Sequence, residues 1–139
     1  MNETLFVSYH HDTFEDKYKN LLVGWSKNQN DFFNWINFQD TSIGVSINSS
    51  DAGYIKRKIK EKISQSSVFL CLVGEETYKS DWVNWEIETA IELRKRIIAV
   101  KLDNSYTSPK SLYSAGASWA RSFKAESIMH AYADSIFRH

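Results

Sequence analysis

The fold of this chain is indicated most clearly by residues 66–103, "SSVFLCLVGEETYKSDWVNWEIETAIELRKRIIAVKLD". The stretch opens with a near-continuous apolar run, "SVFLCLVG" at 67–74, which is typical of a strand buried on both faces of a parallel sheet. A short polar loop leads into a helix predicted from about Asp81 to Lys95, and a second apolar strand, "RIIAVKLD", follows at 96–103. A strand, a helix and another strand in this order predict a βαβ unit.

The same alternation continues on both sides of this stretch. The elements expected there are a strand at 4–10, a helix at 13–28, a strand at 31–38, a long polar loop at 39–53, a helix at 54–66 and a closing helix at 118–137. The sequence contains no repeat and no linker. We therefore expect one α/β domain spanning residues 1–139, built on a doubly wound parallel sheet of at most five strands.

The composition excludes several classes of partner. Lysine plus arginine and aspartate plus glutamate each number 17, so the formal net charge is zero, which argues against nucleic acid or an anionic membrane as the main partner. No apolar run approaches the roughly 20 residues that span a bilayer, and the start of the chain does not resemble a secretory signal. Cys71 is expected to be a buried hydrophobe, and histidine and cysteine do not cluster as metal ligands. These features predict a cytoplasmic protein without a metal site.

Glu86 is the residue that raises the question of function. At about 100° per residue, it lies roughly 40° from Trp82 and inside the apolar arc of the predicted helix, whereas Glu88 and Glu92 lie on the opposite side. A carboxylate on an apolar arc must be paired with another group, be protonated and therefore neutral, or have a functional role. Geometry alone leaves two interpretations open: a structural carboxylate that caps backbone amides or pairs with a lysine, or a functional group.

The predicted sheet also indicates where a ligand would bind. In doubly wound sheets, ligands bind beyond the carboxyl ends of the strands, where the strand order reverses. The candidate rim comprises residues 8–12, the 39–53 loop and residues 74–81. Glu86 is expected at this rim, in the first turn of its helix.

Three segments together resemble the TIR superfamily, in particular the short bacterial and archaeal TIR-like domains related to the TIR proteins of Thoeris antiphage defence. They are "LFVSYHHD" at 5–12, "FFNWINFQDTSI" at 32–43 and the stretch at 66–103 with its Trp-x-x-x-Glu helix. The resemblance covers roughly residues 4–103, and the last 36 residues match only as a loop plus a helix. It implies a flavodoxin-like fold.

The resemblance also implies a chemistry. Enzymatic TIR domains cleave NAD⁺ at the nicotinamide–ribose bond, with NAD⁺ as substrate and no cofactor or metal. By resemblance, Glu86 occupies the catalytic glutamate position, and Trp82 matches an aromatic residue that packs near the nicotinamide. The bond breaks toward an oxocarbenium-like centre, which one carboxylate can stabilise, and an aromatic face suits the cationic pyridinium ring.

Four further residues are candidates for substrate binding. Ser8 and Tyr9 end the first strand and are expected to line the nucleotide pocket, although Tyr9 has the alternative of packing on the sheet. His10 stands where many TIR domains carry a basic residue that meets phosphate, but a histidine is only partly charged at neutral pH. Asp40 has two interpretations, a hydrogen bond to a ribose or a cap of its loop.

The sequence thus favours an NAD⁺-cleaving TIR enzyme that makes an ADP-ribose-derived signal, linear or cyclic, in antiphage defence. We expect it to act on a separate effector protein through a diffusible product and to self-associate through the 39–53 loop. One alternative is a non-catalytic TIR interaction module in which Glu86 is structural. Another is a glycosidase resembling nucleoside deoxyribosyltransferases, which use a related fold and a carboxylate nucleophile.

Overall fold

Strands and helices alternate along the residues that the structure, a computed structural model, describes: 3–10, 13–27, 36–39 and 50–137. The elements are β1 (Glu3–Ser8), α1 (Thr13–Lys27), β2 (Ile36–Gln39), α2 (Ala52–Gln65), β3 (Val68–Val73), α3 (Asp81–Glu92), β4 (Arg96–Lys101), β5 (Ser118–Ala120) and α4 (Ala125–Phe137). Short 3₁₀ turns at Thr77–Lys79 and Lys110–Ser114 precede α3 and β5.

The five strands form one parallel sheet in the order β2-β1-β3-β4-β5. This confirms the α/β, flavodoxin-like, doubly wound architecture expected from the sequence. The chain leaves β1 toward β2 on one side and returns to β3 on the other, so the strand order reverses between β1 and β3. Ligands in such sheets bind beyond the carboxyl ends of the strands at this switch point.

The two faces of the sheet are covered by different helices. On one face, alternate residues of β1 such as Leu5 and Val7 pack in a cluster with Leu22 of α1 and Ile128 of α4. On the other face, Phe6 packs in a cluster with residues of α2 and α3. All six residues of β3 are buried, because helices cover both faces of this central strand.

The prediction of a closing helix at 118–137 is wrong for the first third of that range. Residues 118–120 form β5, which pairs with β4 through Ile98↔Ser118, and the helix begins only at Ala125. Trp119 therefore lies on a strand, where it is half-buried and stacks on Tyr113 at a centroid distance of 5.6 Å. The last 36 residues consequently complete the sheet as well as adding a helix.

The other boundaries agree with the sequence to within a few residues, although α3 ends at Glu92, three residues before the predicted Lys95. The second strand was predicted at 31–38, of which 31–35 lie outside the described residues; β2 occupies Ile36–Gln39. No helix in the described part of the chain is long and apolar enough to cross a membrane.

Candidate functional site

Ser8 and Glu86 meet at the switch point of the sheet. Ser8 is the last residue of β1, and its Oγ donates a hydrogen bond of 2.6 Å to Glu86 Oε1. Ser8 has the same orientation as Phe6, two residues earlier, and therefore faces α3, which carries Glu86. Ser8 is fully buried and Glu86 is 3% exposed, so the pair lies beneath the rim.

Glu86 occupies the buried side of α3, as its place on the apolar arc predicted. Val83, Ile87 and Ala90 are buried with it, and Glu88 and Glu92 are exposed. It is the sixth residue of the helix and so lies in the second turn, not in the first turn as expected. The cap of α3 is Ser80, whose Oγ accepts a hydrogen bond from the Val83 amide, so Glu86 does not serve as the helix cap.

Burial governs the protonation of Glu86. It raises the pKa of this carboxyl from 4.5 to about 8, and the hydrogen bond from Ser8 opposes that rise. Cys71 is paired with Ser8 across the sheet, and burial raises the pKa of its thiol, with smaller contributions from the carboxylates of Glu15 and Glu86. Cys71 is thus the buried small hydrophobe that the sequence indicated, with a protonated thiol.

Aromatic side chains accompany Glu86 along α3. Trp82 lies one turn earlier and is half-buried against the cluster formed with α2 and α3. Its ring meets Trp85 edge to face at a centroid distance of 5.8 Å, and Lys56 Nζ lies 5.6 Å from the Trp85 ring centroid. The Trp82 side chain is therefore packed against its neighbours, and part of it remains exposed to solvent.

A second buried carboxylate, Glu15 of α1, lies at the same edge of the sheet and is fully buried. Its Oε1 accepts a hydrogen bond of 2.9 Å from the His10 amide, and its Oε2 accepts one of 2.9 Å from Thr77 Oγ1. Thr77 Oγ1 in turn accepts a hydrogen bond of 2.8 Å from the Gly74 amide. Glu15 thus joins the segment after β1 to the segment after β3.

Of the remaining predicted site residues, the structure describes Tyr9 and His10, and the side chain of Tyr9 does not join the pair formed by Ser8 and Glu86. Tyr9 is buried in the cluster with α1 and α4, on the face of the sheet opposite Ser8, because side chains alternate along a strand. His10 is half-buried, and its backbone amide contacts Glu15. Asp40 lies outside the described residues, as does most of the 39–53 loop. The described residues contain no cluster of potential metal ligands.

Glu15 and Thr77 were not among the site residues predicted from the sequence. Glu15 carried the same signal as Glu86, since it lies three residues before Tyr18 and seven before Leu22, on the stripe of α1 that packs on the sheet. Only the fold places Thr77 beside Glu15, because 62 residues separate them.

The parallel sheet with order 2-1-3-4-5 and the buried carboxylate at its switch point define a flavodoxin-like α/β domain with a candidate site at the ends of its strands. The sequence model of the Thoeris protein ThsB TIR-like domain matches residues 6–107, well over half of the chain. The chain belongs to this family of Thoeris defence TIR-like domains.

Two solved structures are similar in fold. A 2-deoxyribosyltransferase from the psychrotolerant bacterium Bacillus psychrosaccharolyticus has a TM-score of 0.64 and 10% identity, covering 86% of this chain and 87% of that one. The TIR domains of the activated Roq1 resistosome, which directly recognises the pathogen effector XopQ, have a TM-score of 0.53 and 13% identity, covering 99% of this chain and 78% of that one. At these identities the likeness concerns the fold alone. No curated protein matches the chain in sequence.

Proposed function

We propose that this domain cleaves NAD⁺ at the nicotinamide–ribose bond, with Glu86 as the catalytic residue. The observation that carries the proposal is the buried Glu86 carboxyl, held by Ser8 Oγ at 2.6 Å at the switch point of the sheet. Trp82, on the same side of α3 one turn earlier, supplies an aromatic face for the pyridinium ring. Membership of the Thoeris TIR-like family supports the same chemistry.

The reaction needs little from the protein besides electrostatic stabilisation. As the C1′–N bond breaks, its electron pair moves onto the nicotinamide nitrogen, so the base leaves as a neutral molecule without a general acid. Positive charge develops on the ribose, and an ionised Glu86 stabilises it in surroundings drier than water. Water or a hydroxyl of the same molecule then attacks C1′, which gives ADP-ribose or a cyclic product.

The protonation state of Glu86 adds a condition to this mechanism. With a pKa of about 8, Glu86 is mostly protonated in the free protein at neutral pH. The cationic pyridinium ring of bound NAD⁺ favours the ionised carboxylate, because an opposite charge nearby lowers the pKa of an acid. Substrate binding and ionisation of Glu86 are therefore coupled in the proposed mechanism.

Family membership and the proposed product support a role in antiphage defence. The domain acts in the cytoplasm, where its ADP-ribose-derived product diffuses to a separate effector protein in antiphage defence. Ser8 holds Glu86, and His10 and Asp40 remain candidate residues of the nucleotide pocket, whereas Tyr9 packs in the core. Mass spectrometry of small molecules from infected cells that express the protein identifies the product.

One incubation separates this proposal from its alternatives. Purified protein is mixed with NAD⁺ and, in parallel, with a panel of nucleosides and deoxynucleosides, and the released bases are quantified. The proposal expects nicotinamide from NAD⁺ and no base from the panel. Base release from a deoxynucleoside alone supports the glycosidase suggested by the first structural relative, and no release from any compound supports a non-catalytic interaction module.

A further inference from the structure

We propose that Glu15 is a positioning residue that clamps the segment after β1 to the segment after β3 and thereby fixes Glu86 against Ser8. The inference rests on the proposed function for its catalytic consequence, whereas the clamp itself rests on the contacts of Glu15. Nothing in the family resemblance assigns a role to this residue.

The clamp consists of three short hydrogen bonds around one buried carboxylate. The His10 amide donates to one oxygen and the Thr77 hydroxyl to the other, both at 2.9 Å, and the Gly74 amide donates to Thr77 Oγ1 at 2.8 Å. Hydrogen bonds to a carboxylate are among the stronger ones, and their strength increases in a buried place. Both oxygens are thus occupied by protein donors, which suits a support better than a group that contacts substrate.

The two clamped segments are those that carry the catalytic pair. His10 follows Ser8 by two residues, so fixing its amide fixes the end of β1. Thr77 begins the 3₁₀ turn Thr77–Lys79, and the residue after this turn, Ser80, caps α3. Fixing Thr77 therefore fixes the start of the helix that carries Glu86. The hydrogen bond between Ser8 and Glu86 spans the same two segments and depends on their relative position.

Gly74 shows how closely the carboxylate fits. A Cβ built on Gly74 would lie 2.6 Å from Glu15 Oε2 and 2.8 Å from Glu15 Cδ, so any larger residue must displace the carboxylate. By contrast, a Cβ built on Gly24, in α1, meets no atom within 4 Å. Gly74 is therefore required by the clamp, and Gly24 offers a control outside the candidate rim.

Two independent variants test the clamp without touching Ser8 or Glu86. Thr77→Val keeps the shape of the side chain and removes the hydroxyl, and Thr77→Ser restores the hydroxyl as its control. Gly74→Ala keeps every polar group and displaces the Glu15 carboxylate, with Gly24→Ala as its control. Melting temperatures establish that each variant is folded.

Two readouts follow the position of Glu86. The first is the kinetics of nicotinamide release: Thr77→Val and Gly74→Ala should lower kcat about 10-fold or more with little change in KM, because small misplacements of a reacting group are costly. The second needs no substrate and follows the Glu86 carboxyl carbon by ¹³C NMR during a pH titration. The midpoint should rise in both variants and stay unchanged in both controls, because the hydrogen bond from Ser8 lowers the pKa of Glu86.

The outcomes separate the clamp from the proposed reaction. If wild-type protein releases no nicotinamide but the Glu86 midpoint rises in both variants, the proposed reaction fails and the clamp stands. If wild type is active and the folded variants match it in both kcat and midpoint, the clamp is overturned and the reaction stands. If both variants lose their fold while the controls keep it, Glu15 is structural support only, and the positioning role is also overturned.

Discussion

Glu86 combines deep burial with sparse hydrogen bonding. Within the described part of the chain, Ser8 is its hydrogen-bond partner, and no lysine or arginine pairs with it. A carboxyl in such a place either stays protonated or carries a charge that the fold stabilises poorly. That is expected of a group whose charge is needed when a cationic substrate arrives, and not of a group selected for stability.

The raised pKa predicts how stability depends on pH. Below pH 4.5, Glu86 is protonated in both the folded and the unfolded chain, and its contribution to the free energy of unfolding is at its largest. Between pH 4.5 and about 8 the unfolded chain ionises first, so the free energy of unfolding falls by up to about 1.4 kcal/mol per pH unit. Urea unfolding at pH 5 and pH 8 should show this loss in wild type and not in Glu86→Gln.

Equal pH dependence in the two proteins would contradict that assignment. Since Glu86→Gln leaves every other titratable group in place, the difference between the two curves isolates Glu86.

Trp82 tests the aromatic part of the site. Trp82→Ala should weaken the use of NAD⁺ by about 0.5–2 kcal/mol from the lost contact with the pyridinium ring, in addition to any loss of packing, whereas Trp82→Phe should retain part of it. Steady-state kinetics of nicotinamide release measure both variants. If both variants fold and release nicotinamide at the rate of wild type, Trp82 is a core residue only.

Single residues also show what the sequence could predict. Glu86 was found because a carboxylate on an apolar helical arc is conspicuous, and Ser8 because it ends a strand at the expected rim. The direction of Ser8, toward Glu86 and away from Tyr9, depends on which face of the sheet α3 covers. That is a property of the assembled layers, and periodicity alone does not contain it.

Helix α3 carries Glu86 and Trp82, and side-chain hydrogen bonds hold its N-terminus in place. Ser80 Oγ accepts a hydrogen bond from the Val83 amide at 3.2 Å, and Asn84 Nδ2 donates to the carbonyl oxygens of Tyr78 and Ser80. Ser80→Ala should lower the free energy of unfolding by about 0.5–2 kcal/mol, the usual cost of losing an N-cap. Ser80→Thr, which keeps the hydroxyl, is the control, and chemical denaturation is the measurement.

A Ser80→Ala protein as stable as wild type would mean that the contacts of Asn84 are sufficient to hold the start of the helix.

The elements predicted best were those with long, uniform patterns. The apolar runs of β3 and β4 and the amphipathic stripe of α3 left little choice of structure. The β5 strand was missed because three residues are too few to show a period of two, so they were included in the closing helix predicted at 118–137. Its identity as a strand comes from pairing with β4, which is a long-range contact.

At the scale of the whole molecule, the sheet order concentrates the candidate chemistry. The reversal between β1 and β3 brings the ends of two strands together, and Ser8, Glu15, Thr77 and Glu86 all lie around that point. The order 2-1-3-4-5 is that of the flavodoxin-like fold, which the family resemblance implied. Alternation of strands and helices predicted a parallel sheet without specifying which strands are neighbours.

Assembly is the second property of the whole molecule that the account predicts. If the 39–53 loop of a neighbouring copy completes the pocket, specific activity should rise with protein concentration, and substitutions from Ile43 to Ile47 should abolish that rise. Nicotinamide release measured over a hundredfold dilution series tests this. Specific activity that stays flat over the series would show that each copy works alone.

Glu86→Gln tests whether Glu86 stabilises the ribosyl cation. The variant keeps the shape of the side chain and cannot ionise, and Glu88→Gln, exposed on the same helix, is the matched control. Nicotinamide release and melting temperature are measured on the same preparation of each protein. If Glu86 is catalytic, Glu86→Gln should lose at least ~10²-fold in nicotinamide release at an unchanged or higher melting temperature, and Glu88→Gln should behave like wild type. A folded, fully active Glu86→Gln protein would contradict this role.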